Sequence, residues 1–204
     1  MTSLRLPGAL AAILLAVSLP LYAAETAPDA AAAMQRSFEA KKQAGMDRLQ
    51  QDEVQALCTR YTTATLPAEA ASRIQQASLA TVKPPSDGQY LGDYKAGEKI
   101  AQTGTGLQSS DDPAKPNGGN CYACHQLASS ELAYGTLGPS LQHYGKLRGQ
   151  SPEMLALAWR KLYNAQADVP CSNMPRFGHQ KILTEQQLKD LMAFLFDPTS
   201  PVNQ

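Results

Sequence analysis

Apolar positions in this chain recur every three or four residues, and no stretch alternates apolar with polar as a half-buried strand would. An apolar run from Ala9 to Leu21 follows the single charge of Arg5 and is followed by the small residues Ala23 and Ala24. That layout predicts a secretory leader over 1–24, cut after Ala23 or Ala24. A membrane anchor fits less well, because the run is short, holds Pro20, and is followed by Glu25 and Asp29 instead of a basic cluster. An Ala-rich acidic spacer, Glu25 to Ala33, precedes a helical face of Met34 and Phe38. Val54, Leu57, Cys58 and Tyr61 then form a longer apolar stripe, and Pro67 opens a segment with Ala70, Ile74 and Ala77 on one side. Lys83 to Gly88, with two prolines and a glycine, breaks the periodicity and reads as a linker.

Three further helices follow. Tyr94, Gly97 and Ala101 face one way between Asp93 and Gln102; Leu155, Ala158, Trp159 and Leu162 follow the Ser151-Pro152 start; Leu188, Leu191, Met192 and Leu195 follow a capping box of Thr184 and Gln187. Thr103 to Asn120 between them is a polar, turn-rich loop. The fold class is all-α, with a leader at 1–24, a helical extension and linker at 25–88, and a second unit at 89–204. The extension is too small and too Ala-rich to build its own core, so it should lie against something else.

Charge narrows the functional classes. The 204 residues carry 18 Lys and Arg against 18 Asp and Glu, and losing Arg5 with the leader leaves 17 against 18. A chain so close to neutral carries no basic field for nucleic acid or an anionic membrane, and after cleavage no run is long enough to span a bilayer.

The four cysteines change the picture most. Cys121-Tyr122-Ala123-Cys124-His125 places two thiols three positions apart with a histidine beside the second. That spacing lets both thiols bond the vinyl groups on one edge of a single haem c while His125 reaches the iron. A zinc half-site would need a second ligand pair at similar spacing, and a redox dithiol would need a strand-helix-strand setting; neither is present. Exported thiols are normally bridged, which pairs the remaining Cys58 with Cys171. The other face of the iron has Met34, Met46, Met154, Met174, Met192, His143, His179 and Cys171 as candidates. Met174 stands out because it sits in a loop stiffened by Pro170, Pro175 and Gly178, 49 positions after His125, whereas Met192 and Met154 have helical packing positions. His143, His179 and Cys171 stay as alternatives.

In order along the chain, the CxxCH, Leu137-Gly138-Pro139-Ser140-Leu141, the Met174-Pro175 loop and the capped last helix resemble a class I cytochrome c. The resemblance implies that Pro139 offers its carbonyl to the ring nitrogen of His125, and that the first and last helices of the unit cross at Gly97 against the face of Leu191, Phe194 and Leu195. A narrower resemblance covers Val54 to the C-terminus. Gly118-Gly119-Asn120-Cys121, Gly138 to Leu141, Cys171 to His179 and Ile182 to Gln187 are similar to SoxX, the monohaem cytochrome subunit family of the Sox thiosulfate-oxidising system. It implies a periplasmic electron-accepting subunit with no catalytic residue of its own. Its partners would be a SoxA-type cytochrome, with which it forms the cysteine S-thiosulfotransferase, the SoxYZ carrier, and a downstream electron acceptor. A free periplasmic electron shuttle would share every haem feature. A haem sensor or peroxidase would instead need one open iron face.

Overall fold

The computed structural model describes residues 29–204, so the leader expected at 1–24 lies outside the described residues. The chain divides into two compact units, Met1–Ser37 and Phe38–Gln204. In the first, α1 (Ala30–Ser37) is a run of alanines whose start is capped by the Asp29 carboxylate, which accepts the Ala31 N–H at 3.0 Å. Phe38, expected on one helical face with Met34, falls just beyond its end.

The second unit holds α2 (Glu53–Arg60), α3 (Ala68–Leu79), α4 (Tyr94–Gln102), α5 (Tyr144–Arg148), α6 (Pro152–Asn164) and α7 (Glu185–Phe196). Short 3-10 turns occur between them, and the described residues form no strand beyond an isolated bridge between Lys41 and Ala44. The architecture is all-α.

The core is built around α7, in which every residue from Leu188 to Phe196 is buried. Its start is fixed by the expected capping box, in which the Thr184 side chain accepts the Gln187 N–H while the Gln187 side chain accepts the Thr184 N–H. Helix α4 crosses it at Gly97. A Cβ there would sit 2.0 Å from the Asp190 carbonyl oxygen and 2.9 Å from Phe194 Cβ, so only glycine lets the two backbones meet. Leu191 and Leu195 turn into the core beside this crossing.

The C-terminal residues, which show no periodicity, close the far end of α7. Ser200, Val202 and Asn203 are fully buried; Ser200 Oγ donates to the Phe194 carbonyl at 2.6 Å, and Asn203 Nδ2 donates to the carbonyls of Leu195 and Asp197. Carbonyls that a helix end leaves without partners are thereby satisfied.

The extension lies against the rest of this unit through α3, whose buried Ile74 and Ser78 face α6 and the turn after it. Asn164 Nδ2 donates to Thr81 Oγ1 at 3.0 Å. The linker breaks the helices as expected, yet it is tied down. Trp159 Nε1 donates to the Lys83 carbonyl at 2.7 Å, Ser86 is bonded to the Glu185 carboxylate, and Lys189 pairs with Asp87 at 2.6 Å.

Candidate functional site

The turn Cys121–Ala123 opens from Asn120, which takes the left-handed conformation (φ 47°, ψ 43°) that asparagine tolerates better than most residues. Its position is fixed from α4. Gly118, Gly119 and Asn120 donate their N–H groups to the carbonyls of Thr105, Ile100 and Thr103, and a Cβ at Gly118 would stand 2.1 Å from the Thr103 oxygen. The N–H groups of Cys124 and His125 then both point back to the Cys121 carbonyl, at 3.1 and 2.9 Å. One tight turn thus presents both thiols and the imidazole, and neither thiol is bridged. Burial pushes the Cys121 thiol up to about 12, so it stays protonated at neutral pH.

His125 is oriented by the segment after it. Gly138 donates its N–H to the Cys124 carbonyl at 2.9 Å, Leu141 to the Gln126 carbonyl at 2.8 Å, and Ser140 Oγ to Gln126 Oε1 at 3.0 Å. This lays 138–141 alongside 124–126 and brings the Pro139 carbonyl to 2.7 Å from His125 Nδ1. A carbonyl can only accept, so Nδ1 carries a proton, and in the neutral ring Nε2 is the nitrogen that keeps its lone pair. The ring also lies flat over Gly138, where a Cβ would come within 2.1 Å of Cε1.

Met174 sits in the loop between the turn after α6 and the start of α7. Its N–H donates to Ser172 Oγ at 3.2 Å, and the Ser172 N–H returns to the Val169 carbonyl at 3.1 Å. Beyond it, Arg176 and Phe177 are buried. Cys121, Leu141 and Met174 all pack half-buried against the same hydrophobic core. The other candidate ligands are placed differently. Cys171 is bonded to Cys58 in a disulfide with a Cα–Cα separation of 5.4 Å. Met192 is wholly inside the core, Met154 packs on it from α6, and Met46 is exposed. His143 starts α5 with a positive φ of 58° and donates its N–H to the Val202 carbonyl at 2.7 Å. His179 donates its N–H to the Tyr163 carbonyl at 3.0 Å, and burial and the Arg176 charge together hold its imidazole below the ordinary value of 6.5.

The pattern of apolar positions did not reveal an ion pair at this loop. Arg176, only 5% exposed, reaches Asp52 Oδ2 at 2.7 Å. Partial burial pushes the Asp52 carboxyl up, but the Gln55 N–H and the Arg176 guanidinium outweigh it and leave it below the ordinary 3.8. The usable signal was Asp52 three residues before Gln55, a capping-box spacing like the one at Thr184, which the structure shows to be formed.

Residues 94–197 match the family model described as Cytochrome c. The chain belongs to the cytochrome c family. Cytochromes c are haem proteins of electron transfer, and this chain is one of them. An uncharacterized lipoprotein of Aquifex aeolicus (strain VF5) is 40% identical over 128 residues, which is 61% of this chain and 59% of that protein, so the match spans under two thirds of the relative's length. No described helix is long and apolar enough to cross a membrane.

The site fits the family's cofactor. Two unbridged thiols on one turn and an imidazole held through Nδ1, with Nε2 as its other ring nitrogen, are the donor set a covalently held haem requires, and Gly138 leaves room for the ring.

Proposed function

We propose that this chain carries one haem c, bonded through Cys121 and Cys124, with His125 and Met174 on the two faces of the iron. When bound, the haem supplies a one-electron couple. The chain's own residues set its terms. Pro139 holds the His125 proton on Nδ1 and so presents Nε2 toward the metal; Met174 offers a thioether, a ligand that raises the reduction potential and favours an accepting role. With both faces filled, no position remains for a substrate.

We further propose that the chain is the electron-accepting subunit of a periplasmic SoxAX-type complex, pairing with a SoxA-type cytochrome while thiosulfate is oxidatively joined to a cysteine of the SoxYZ carrier. The observation that carries this reading is the Cys171 to Gly178 loop. Its sequence resembles the SoxX subunits, and its Met174 shares a core with Cys121 and Leu141.

The test mixes the purified holoprotein with a SoxA-type partner, the carrier and thiosulfate, and follows reduction of the haem at Cys121 and Cys124. Reduction should require partner and carrier. Rapid reduction by thiosulfate alone would overturn the division of labour. A free shuttle would purify alone and form no complex with the SoxA-type protein.

A further inference from the structure

We infer that Asp52, Arg176 and the Cys58–Cys171 bridge are positioning residues that hold the Met174 loop from both sides, with α2 as the splint between them. The inference rests on Met174 being the axial ligand. The bridge seizes the loop three residues before Met174, and the ion pair seizes it two residues after. Both anchor points on the other side belong to one short helix. Asp52 caps α2, with Oδ1 accepting the Gln55 N–H at 2.8 Å while Oδ2 takes Arg176, and Cys58 lies one and a half turns farther along.

The lengths decide what such an arrangement does. Six residues of helix rise about 9 Å, whereas the five steps from Cys171 to Arg176 could stretch to about 17 Å. A rod of fixed, shorter length therefore holds the segment as an arch that contains Met174. Cys171 is itself in the left-handed region, with φ 59°, a conformation a free loop cysteine would leave readily. α2 is joined to α3 by the Arg73–Glu53 pair, α3 is seated by Ile74, and Gln75 Nε2 donates to the Asp168 carbonyl at 3.2 Å while Asp168 also receives Arg160. Arg176 Nη2 is buried without a hydrogen-bond partner and has Asp52 as its one ion-pair partner among the described residues, so charge attraction alone ties it to α2.

A ligand loop held this way should open only when the rest of the molecule unfolds. Carbon monoxide reads that opening directly, because its apparent affinity scales with the fraction of molecules whose methionine is off the iron. In ferrous holoprotein, Asp52→Asn and the paired Cys58→Ser, Cys171→Ser variant should each raise carbon monoxide affinity about ten-fold or more. In ferric protein, both should lose the sulfur-to-iron charge-transfer band at lower urea than the helical circular dichroism, whereas in the parent chain the two signals are lost together. Asp52→Glu should restore the parent behaviour, and combining Asp52→Asn with Arg176→Gln should cost less than the two changes summed. If the serine variant fails to accumulate, dithiothreitol added to folded ferrous protein gives the same carbon monoxide readout. Should Met174→Ala abolish the band while the Asp52 and cysteine variants match the parent in both assays, the splint is wrong and the ligand right. Should Met174→Ala keep the band, ligand and splint fall together.

Discussion

Gly138 carries no side chain because the His125 imidazole fills the space a Cβ would need, 2.1 Å from Cε1. Gly138→Ala must therefore tilt the ring and stretch the 2.7 Å bond to the Pro139 carbonyl. A cost of about 1 to 3 kcal/mol is expected for such overpacking. It should appear as a lowered urea midpoint, together with a fall in reduction potential or haem incorporation that a remote overpacked site would not cause. His179 predicts a pH effect at the same scale. Burial first, and the Arg176 charge second, lower its folded pKa, while Asp52 opposes them weakly. The unfolded chain then binds the extra proton first, so this contribution to stability is complete above 6.5 and is lost as pH falls through the folded value. Asp52, also depressed, acts in the same sense but only below 3.8. The urea midpoint should fall between neutral pH and about pH 5, and His179→Gln should flatten that fall. An equal fall in the variant would assign it to other groups.

The periodic helices were legible because their signals are local. The expected starts at Asp93, Ser151 and Thr184 each cap their helix in the structure through a side-chain oxygen, and Pro67 immediately precedes α3. Helix α5 was not legible, since five residues hold too little periodicity, and the buried tail from Ser200 to Asn203 was not, since its apolar content is one valine. That Cys121, Cys124 and His125 share one turn could be read from spacing alone, and the bridge from counting cysteines. The Asp52–Arg176 pair could not, because it joins positions 124 residues apart whose charges look like ordinary surface charges in sequence. Cys58→Ala with Cys171→Ala tests the bridge as a link between elements. The closed loop spans 113 residues, for which chain entropy gives roughly 4 to 5 kcal/mol as an upper figure. Denaturant midpoints should drop by a large part of that, and an unchanged midpoint would remove the bridge from the stability of this unit.

The family match begins at Tyr94, and the resemblance to class I cytochromes c likewise concerns the chain from the helix that carries Gly97 onward. Residues 52–88 nevertheless contribute groups that the matched region does not replace. Trp159 Nε1 has the Lys83 carbonyl, Asn164 has Thr81, Lys189 has Asp87, Arg176 has Asp52, and Cys171 has Cys58. A chain shortened to 89–204 keeps the CxxCH, Pro139 and Met174 but takes these partners from all five. Losing the bridge costs up to roughly 4 to 5 kcal/mol. An uncompensated Arg176 adds about 1 to 3 kcal/mol, below the figure for a fully buried pair because Asp52 is 42% exposed. Against a total stability of about 5 to 15 kcal/mol for an ordinary domain, those two losses alone put the shortened chain at the margin. Trp159, the single tryptophan, is 2% exposed and reports the outcome. In the apoprotein of 89–204 its emission should lie to the red of the full-length apoprotein, and its urea transition should come at much lower concentration and be less cooperative. A shortened chain with parent-like emission and midpoint would mean that the cytochrome unit is complete without the extension, and that the five contacts are incidental to its fold.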